Sequence, residues 1–174
     1  MGESDLLKTH DSPSLHKATL ILGLGNPLAT DDSVGLRVVE QLKPLLAGRT
    51  DVELSEDYWG GLRLMERMIG FDVAIVIDAI RTGAPPGTIH RLTAGGIPTQ
   101  RSASAHDVNL ATALEFGRRA GVQVPDNRNV QLVGVEAGDI LSFGEGCTPE
   151  VQAAIPRAVE AVLEALAALS PASI

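Results

Sequence analysis

The feature that most constrains this chain is the alternation of strand-like and helix-like hydrophobic patterns along most of its 174 residues. Short apolar runs that suit buried strands occur at residues 19–22, 52–54, 73–77, 88–92 and 130–135. Between these runs, apolar residues recur at helical spacing. Such an order is typical of a three-layer α/β domain, in which helices cover both faces of a mostly parallel sheet.

The helical patterns predict where the chain crosses over the sheet. Helices are predicted at residues 34–45, at residues 62–68, from His106 to about residue 120, and from Pro149 to the end of the apolar pattern near residue 169. Asp32 or Ser33 is placed to cap the first of them, in which apolar residues from Val34 to Leu45 recur at helical spacing. The link at residues 81–87 is too short for a crossover helix, so the fourth strand should run antiparallel to the third.

Composition limits the compartments and partners that we expect. The formal net charge of -8 argues against a nucleic acid or an anionic membrane as the partner. No apolar run reaches the ~18 residues that would span a bilayer. Residues 1–17 are polar and lack a signal-peptide pattern, so we expect a flexible N-terminal extension, a single domain over residues 18–174, and a cytoplasmic protein.

Three acidic residues follow predicted strands, at the edge of the sheet where α/β proteins bind ligands. Asp32 lies in the loop after the first strand, Asp78 follows the third and Glu136 follows the last. Asp32 has an alternative reading as a helix cap, and Glu136 has one as a solvated side chain. Asp78 ends an apolar run, where a carboxylate is costly unless it is paired or coordinated. His90, in the fourth strand, is expected to face solvent.

The loop at residues 23–35, GLGNPLATDDSVG, resembles a phosphate-binding loop but carries adjacent aspartates. Carboxylates repel phosphate, so a cation or a polarised carbonyl is a better ligand for this loop. A dinucleotide fingerprint would need glycine where Leu28 stands, and the motifs GK[ST], HExxH and GxSxG are absent from the sequence. Asp31 should point away from Asp32 on the turn.

These residues together resemble the hydrogenase maturation proteases. The resemblance is carried by residues 23–35, by VIDAI at 76–80 followed by PGT at 86–88, by SAHD at 104–107 and by LVGVE at 132–136. It implies a five-stranded sheet between helices, and nickel recognised by two carboxylates and a histidine. In this sequence those positions are Asp32, Asp78 and His106. Supporting positions are predicted at Gly25, Asn26, Asp31 and Glu136.

The resemblance also implies an activity. Such an endopeptidase removes the C-terminal extension of the large-subunit precursor of a nickel–iron hydrogenase after nickel insertion. The nickel would belong to the precursor, although zinc or cadmium could take its place in the site. Asp32 and Asp78 are the predicted catalytic residues. The attacking water would be activated either by a carboxylate that acts as general base or by the metal. We expect a monomer, and the motifs at residues 104–107 and 134–136 look most like those of relatives that serve NAD-linked hydrogenases.

Two other functions are compatible with parts of the sequence. A peptidyl-tRNA hydrolase also opens with a strand and GLGNP, but the residues that follow differ here and the acidic charge suits RNA badly. A nickel-binding chaperone without catalytic activity would use the same carboxylates and histidine. Cleavage of a nickel-loaded precursor would distinguish the protease from both.

Overall fold

The computed structural model describes residues 19–58, 62–96 and 110–169. The elements, in chain order, are β1 (Thr19–Leu24), α1 (Val34–Leu45), β2 (Val52–Asp57), α2 (Leu62–Arg67), β3 (Val73–Ile80), β4 (Ile89–Thr93), α3 (Leu110–Arg119), β5 (Val130–Glu136) and α4 (Pro149–Leu169). The five strands form one sheet in the order β2-β1-β3-β5-β4. Only β4 is antiparallel, and it pairs with β5. The predicted α/β architecture, with its mostly parallel sheet, is therefore confirmed.

Helices cover both faces of the sheet because the central strands are apolar on both sides. All six residues of β1 are buried. On one face, α1 and α4 enclose a core with alternate residues of the strands, such as Ile21, Ile75 and Val133. On the other face, α2 and α3 enclose a second core with the intervening residues, such as Leu22 and Val76. None of the described helices has the length and apolar character that a membrane span requires.

Gly35 brings the start of α1 into direct contact with the sheet. A Cβ atom at this position would lie 2.3 Å from the carbonyl oxygen of Leu24 and 2.5 Å from that of Ile77, far inside van der Waals contact. Only glycine allows this approach. The 3-10 turn Asp31–Ser33, which leads into α1, is consequently held over the carboxyl ends of β1 and β3.

Several local predictions are wrong. The third strand continues to Ile80, so Asp78 lies inside β3 rather than after it, because β5 supplies partners as far as Glu136. Ser33 is the N-cap residue of α1, but its hydroxyl donates to the carbonyl of Thr30 and makes no capping hydrogen bond. Leu45 does belong to α1, as its helical spacing predicts, but it is 58% exposed because it lies in the last turn. The N-terminal extension and His106 lie outside the described residues.

Candidate active site

The carboxyl ends of β1 and β3 form the switch point of the sheet. From β1 the chain moves through α1 to β2 on one side, whereas β3 pairs with the other side of β1. Ligands of open α/β sheets bind in the crevice at such a point. The pairing of β1 with β3 ends at Gly23 opposite Ile77, so Asp78 is the first residue of β3 beyond it. Asp32 lies in the 3-10 turn that contacts β3.

The loop after β1 fixes the position of Asp32. The backbone N–H of Asn26 donates to Oδ2 of Asp32 at 3.0 Å, and the side chain of Asp32 is largely buried. The Oδ1 atom of Asn26 in turn accepts from the backbone N–H of Leu28 at 3.0 Å. At Gly25, a Cβ atom would lie 2.0 Å from the carbonyl oxygen of Asp32. Gly25 and Asn26 thus hold the aspartate through their backbone.

Asp31 is directed to a different part of the structure from Asp32. Its carboxylate is fully buried and accepts four hydrogen bonds of 2.7–3.0 Å, from the backbone N–H groups of Gly138, Asp139 and Thr148 and from the hydroxyl of Thr148. Thr148 immediately precedes α4, and a carboxylate is favourable at a helix N-terminus. Asp31 therefore ties the loop after β1 to the loop after β5.

Glu136 is buried at the end of β5, so its reading as a solvated side chain is wrong. It accepts hydrogen bonds from the backbone N–H groups of Thr82 and Gly83 and from the hydroxyl of Thr82, at 2.8–2.9 Å. His90 is not free in solvent either, because its Nε2 lies 3.1 Å from Oε2 of Glu136. Burial raises the pKa of Glu136, but these hydrogen bonds outweigh burial and hold it below its ordinary value. Glu136 thus organises the loop after β3.

His106 belongs to the segment that leads into α3. This helix packs on the face of the sheet that carries Asp78, because Val76 and Ile80, two positions on either side of Asp78 in β3, share a core with Leu110 of α3. Within the described ranges, no three His, Cys, Asp or Glu side chains are grouped as a metal site. The predicted nickel-binding set therefore depends on His106.

Cys147 is the only cysteine, and it lies near the turn that carries Asp32. Its Sγ is 3.7 Å from the hydroxyl oxygen of Ser33. Burial raises the pKa of the thiol, so the thiolate form is scarce at neutral pH. Asp32 and Asp78 are better candidates than Cys147 for binding a divalent cation or acting as a general base, since carboxylates do both.

Comparison with known proteins identifies the family of this chain. The family model of the hydrogenase maturation proteases matches residues 36–165. The hydrogenase 2 maturation protease of Escherichia coli is 35% identical over 150 residues, which cover 84% of this chain and 89% of that protein. The hydrogenase expression/formation protein HupD of Thiocapsa roseopersicina is 31% identical over 151 residues, or 85% of this chain and 67% of that protein.

Solved structures of hydrogenase maturation peptidases have a similar fold. The hydrogenase maturating endopeptidase HybD of Escherichia coli superposes with a TM-score of 0.70 at 33% identity, over 88% of this chain and 94% of that one. A hydrogenase 2 maturation peptidase from a Thaumarchaeota archaeon superposes with a TM-score of 0.63 at 28% identity, over 86% of this chain and 98% of that one.

Proposed function

Because this chain belongs to the hydrogenase maturation protease family, we propose that it removes the C-terminal extension from the large-subunit precursor of a nickel–iron hydrogenase after nickel insertion. Membership of this family rules out the peptidyl-tRNA hydrolase reading and favours a peptidase over a chaperone without catalytic activity. The observation that carries the proposal is the placement of Asp32 and Asp78 at the switch point of the sheet, where α/β proteins bind ligands.

Nickel enters this proposal as part of the substrate. Asp32, Asp78 and His106 supply oxygen and nitrogen donors, which suit nickel and would also accept zinc or cadmium. Three protein donors leave other coordination positions open for groups of the precursor. The backbone N–H of Asn26 keeps one carboxylate oxygen of Asp32 in a fixed orientation, so this donor is arranged before the precursor binds.

Two routes of peptide hydrolysis are compatible with these residues. In one route, Asp32 or Asp78 acts as general base and takes a proton from the attacking water. In the other, the nickel of the precursor polarises the scissile carbonyl or lowers the pKa of the water, and the two carboxylates hold the metal. The first route needs the aspartate that acts as base, and the second needs both. Because both aspartates also bind the nickel of the precursor in this proposal, substitution of either should stop cleavage.

The test is cleavage of a purified, nickel-loaded precursor, followed by the mass shift on loss of the tail. We expect Asp32→Asn, Asp78→Asn and His106→Ala each to lower the rate by about 100-fold or more, with little change in melting temperature. The matched control is Asp51→Asn, since Asp51 immediately precedes β2 and so lies at the amino ends of the strands, opposite the candidate site. Wild-type rates in the Asp78→Asn and His106→Ala variants would refute the assignment of the site.

Three narrower predictions from the sequence accompany this proposal. The protein should be a monomer, it should act in the cytoplasm, and its precursor should come from an NAD-linked hydrogenase. Sedimentation and cleavage assays with alternative precursors test the first and the last of them.

A further inference from the structure

Exposed apolar side chains are concentrated at the edge of the sheet that carries the candidate site. Among the described residues, seven large hydrophobic side chains are exposed, and four of them follow β1, β2 or β5 at this edge. They are Leu28, Tyr58, Leu141 and Phe143, with exposed fractions of 66%, 59%, 82% and 80%. Clustered exposed apolar side chains are typical of interaction sites, whereas single ones are common on any surface.

Three of these residues lie on two loops that are bonded to each other. The backbone N–H of Gly144 donates to the carbonyl of Leu28 at 3.1 Å, and Ala29 forms an antiparallel bridge with Phe143. One residue further along, the N–H of Thr30 donates to the carbonyl of Ser142 at 3.0 Å. We call Leu28, Leu141 and Phe143 the apolar platform.

Hydrogen bonds of two aspartates fix the backbone of the two loops that carry the apolar platform. Asp31 joins the two loops through its buried carboxylate. Oδ1 of Asp139 accepts from the N–H groups of Leu141 and Ser142 at 2.9 and 3.0 Å, and hydrogen bonds from Ser142 and Leu141 keep the pKa of Asp139 below its ordinary value. Apolar groups that are already fixed in place lose little conformational entropy when a partner covers them.

The apolar platform is continuous with the candidate site. Leu28 is two residues after Asn26, and its N–H binds the Asn26 side chain while the Asn26 N–H binds Asp32. From this continuity we infer that the platform docks an apolar stretch of the precursor polypeptide next to its scissile bond. This inference rests on the proposed function, in which the substrate is a polypeptide. Apolar side chains fit the platform, because its three exposed members offer them apolar contact area.

The test is steady-state cleavage of the nickel-loaded precursor by a variant that combines Leu141→Ser with Phe143→Ser. We expect KM to rise about tenfold, with kcat and the melting temperature unchanged, because uniform binding is lost while the chemistry remains. The matched control is Leu45→Ser, which removes a side chain that is 58% exposed at the opposite edge of the sheet. This control should keep the wild-type KM.

Each other outcome overturns the inference. An unchanged KM in the double variant, or an equal rise in the Leu45→Ser control, would show that the platform does not dock the precursor. A wild-type dimer that the double variant converts to a monomer, measured by sedimentation, would assign the platform to a second copy of this chain. Cleavage of the precursor by the wild-type protein is measured first, because failure to cleave would refute the proposed function itself.

Discussion

At the scale of single residues, two adjacent aspartates have different environments. A buried carboxylate is costly unless donors surround it, and Asp31 meets this condition with four hydrogen bonds. Asp32 is held through the N–H of Asn26 at the switch point, where α/β proteins bind ligands. The sequence alone shows two neighbouring carboxylates, but the donors of Asp31 come from residues more than one hundred positions away.

This difference predicts opposite effects of two similar substitutions. Asp31→Asn places an amide against N–H donors, and should lower the free energy of unfolding by about 3 kcal/mol while the folded protein still cleaves the precursor. Asp32→Asn should leave stability nearly unchanged and stop cleavage. Thermal unfolding and kcat, measured on the same preparations, check both effects. Equal losses of kcat in the two variants would mean that the roles of the two residues are misassigned.

At the scale of elements, apolar runs identify the strands but not all of their ends. Residues 73–77 are apolar and predict the buried part of β3, whereas Asp78 looks like a terminator. The strand continues because Gly134, Val135 and Glu136 of β5 pair with it. Likewise, the short link at residues 81–87 predicts the direction of β4, but its neighbour is β5, from much later in the chain. Such long-range pairing leaves no local signal.

The candidate site, too, could be predicted only in part from the sequence. The positions of Asp32 and Asp78 at one edge follow from the order of strands and loops, which the sequence pattern indicates. The contact between Glu136 and His90 does not, because it depends on the register of β4 against β5. His90 pairs with Gly134, two residues before Glu136, and an alternating strand pattern could not reveal this contact.

The hydrogen bonds of Glu136 predict a pH-dependent contribution to stability. Its pKa is lowered in the folded state, so the stabilisation is present above the ordinary range of glutamate, about pH 4.3, and is lost as the pH falls through the folded-state value. Glu136→Gln should therefore lower the melting temperature at pH 7, and the difference from wild type should shrink below about pH 4.

The matched control for this prediction is Glu160→Gln. Glu160 is exposed on α4, so its substitution should change the melting temperature little at either pH. Melting curves of the three proteins between pH 7 and pH 3 make the comparison. A difference between wild type and Glu136→Gln that stays constant across this range would show that the charge of Glu136 does not contribute.

At the scale of the whole molecule, the two edges of the sheet differ. The carboxyl edge holds Asp32, Asp78 and the apolar platform, and Asp31 and Glu136 fix the loops around them. The opposite edge carries Leu45 and Ile69 as separate exposed apolar residues. A protein substrate would thus meet the carboxylates and the apolar platform on one side of the molecule.

Recognition of the precursor's nickel by this site can be measured by cleavage of paired precursor samples. The wild-type protein is mixed with the same purified precursor, either loaded with nickel or free of it, and loss of the C-terminal tail is followed over time. We predict that the loaded precursor is cleaved at least about 100-fold faster, because its nickel completes the contact with Asp32, Asp78 and His106. Equal cleavage rates for the two samples would show that the protein does not recognise nickel in the precursor.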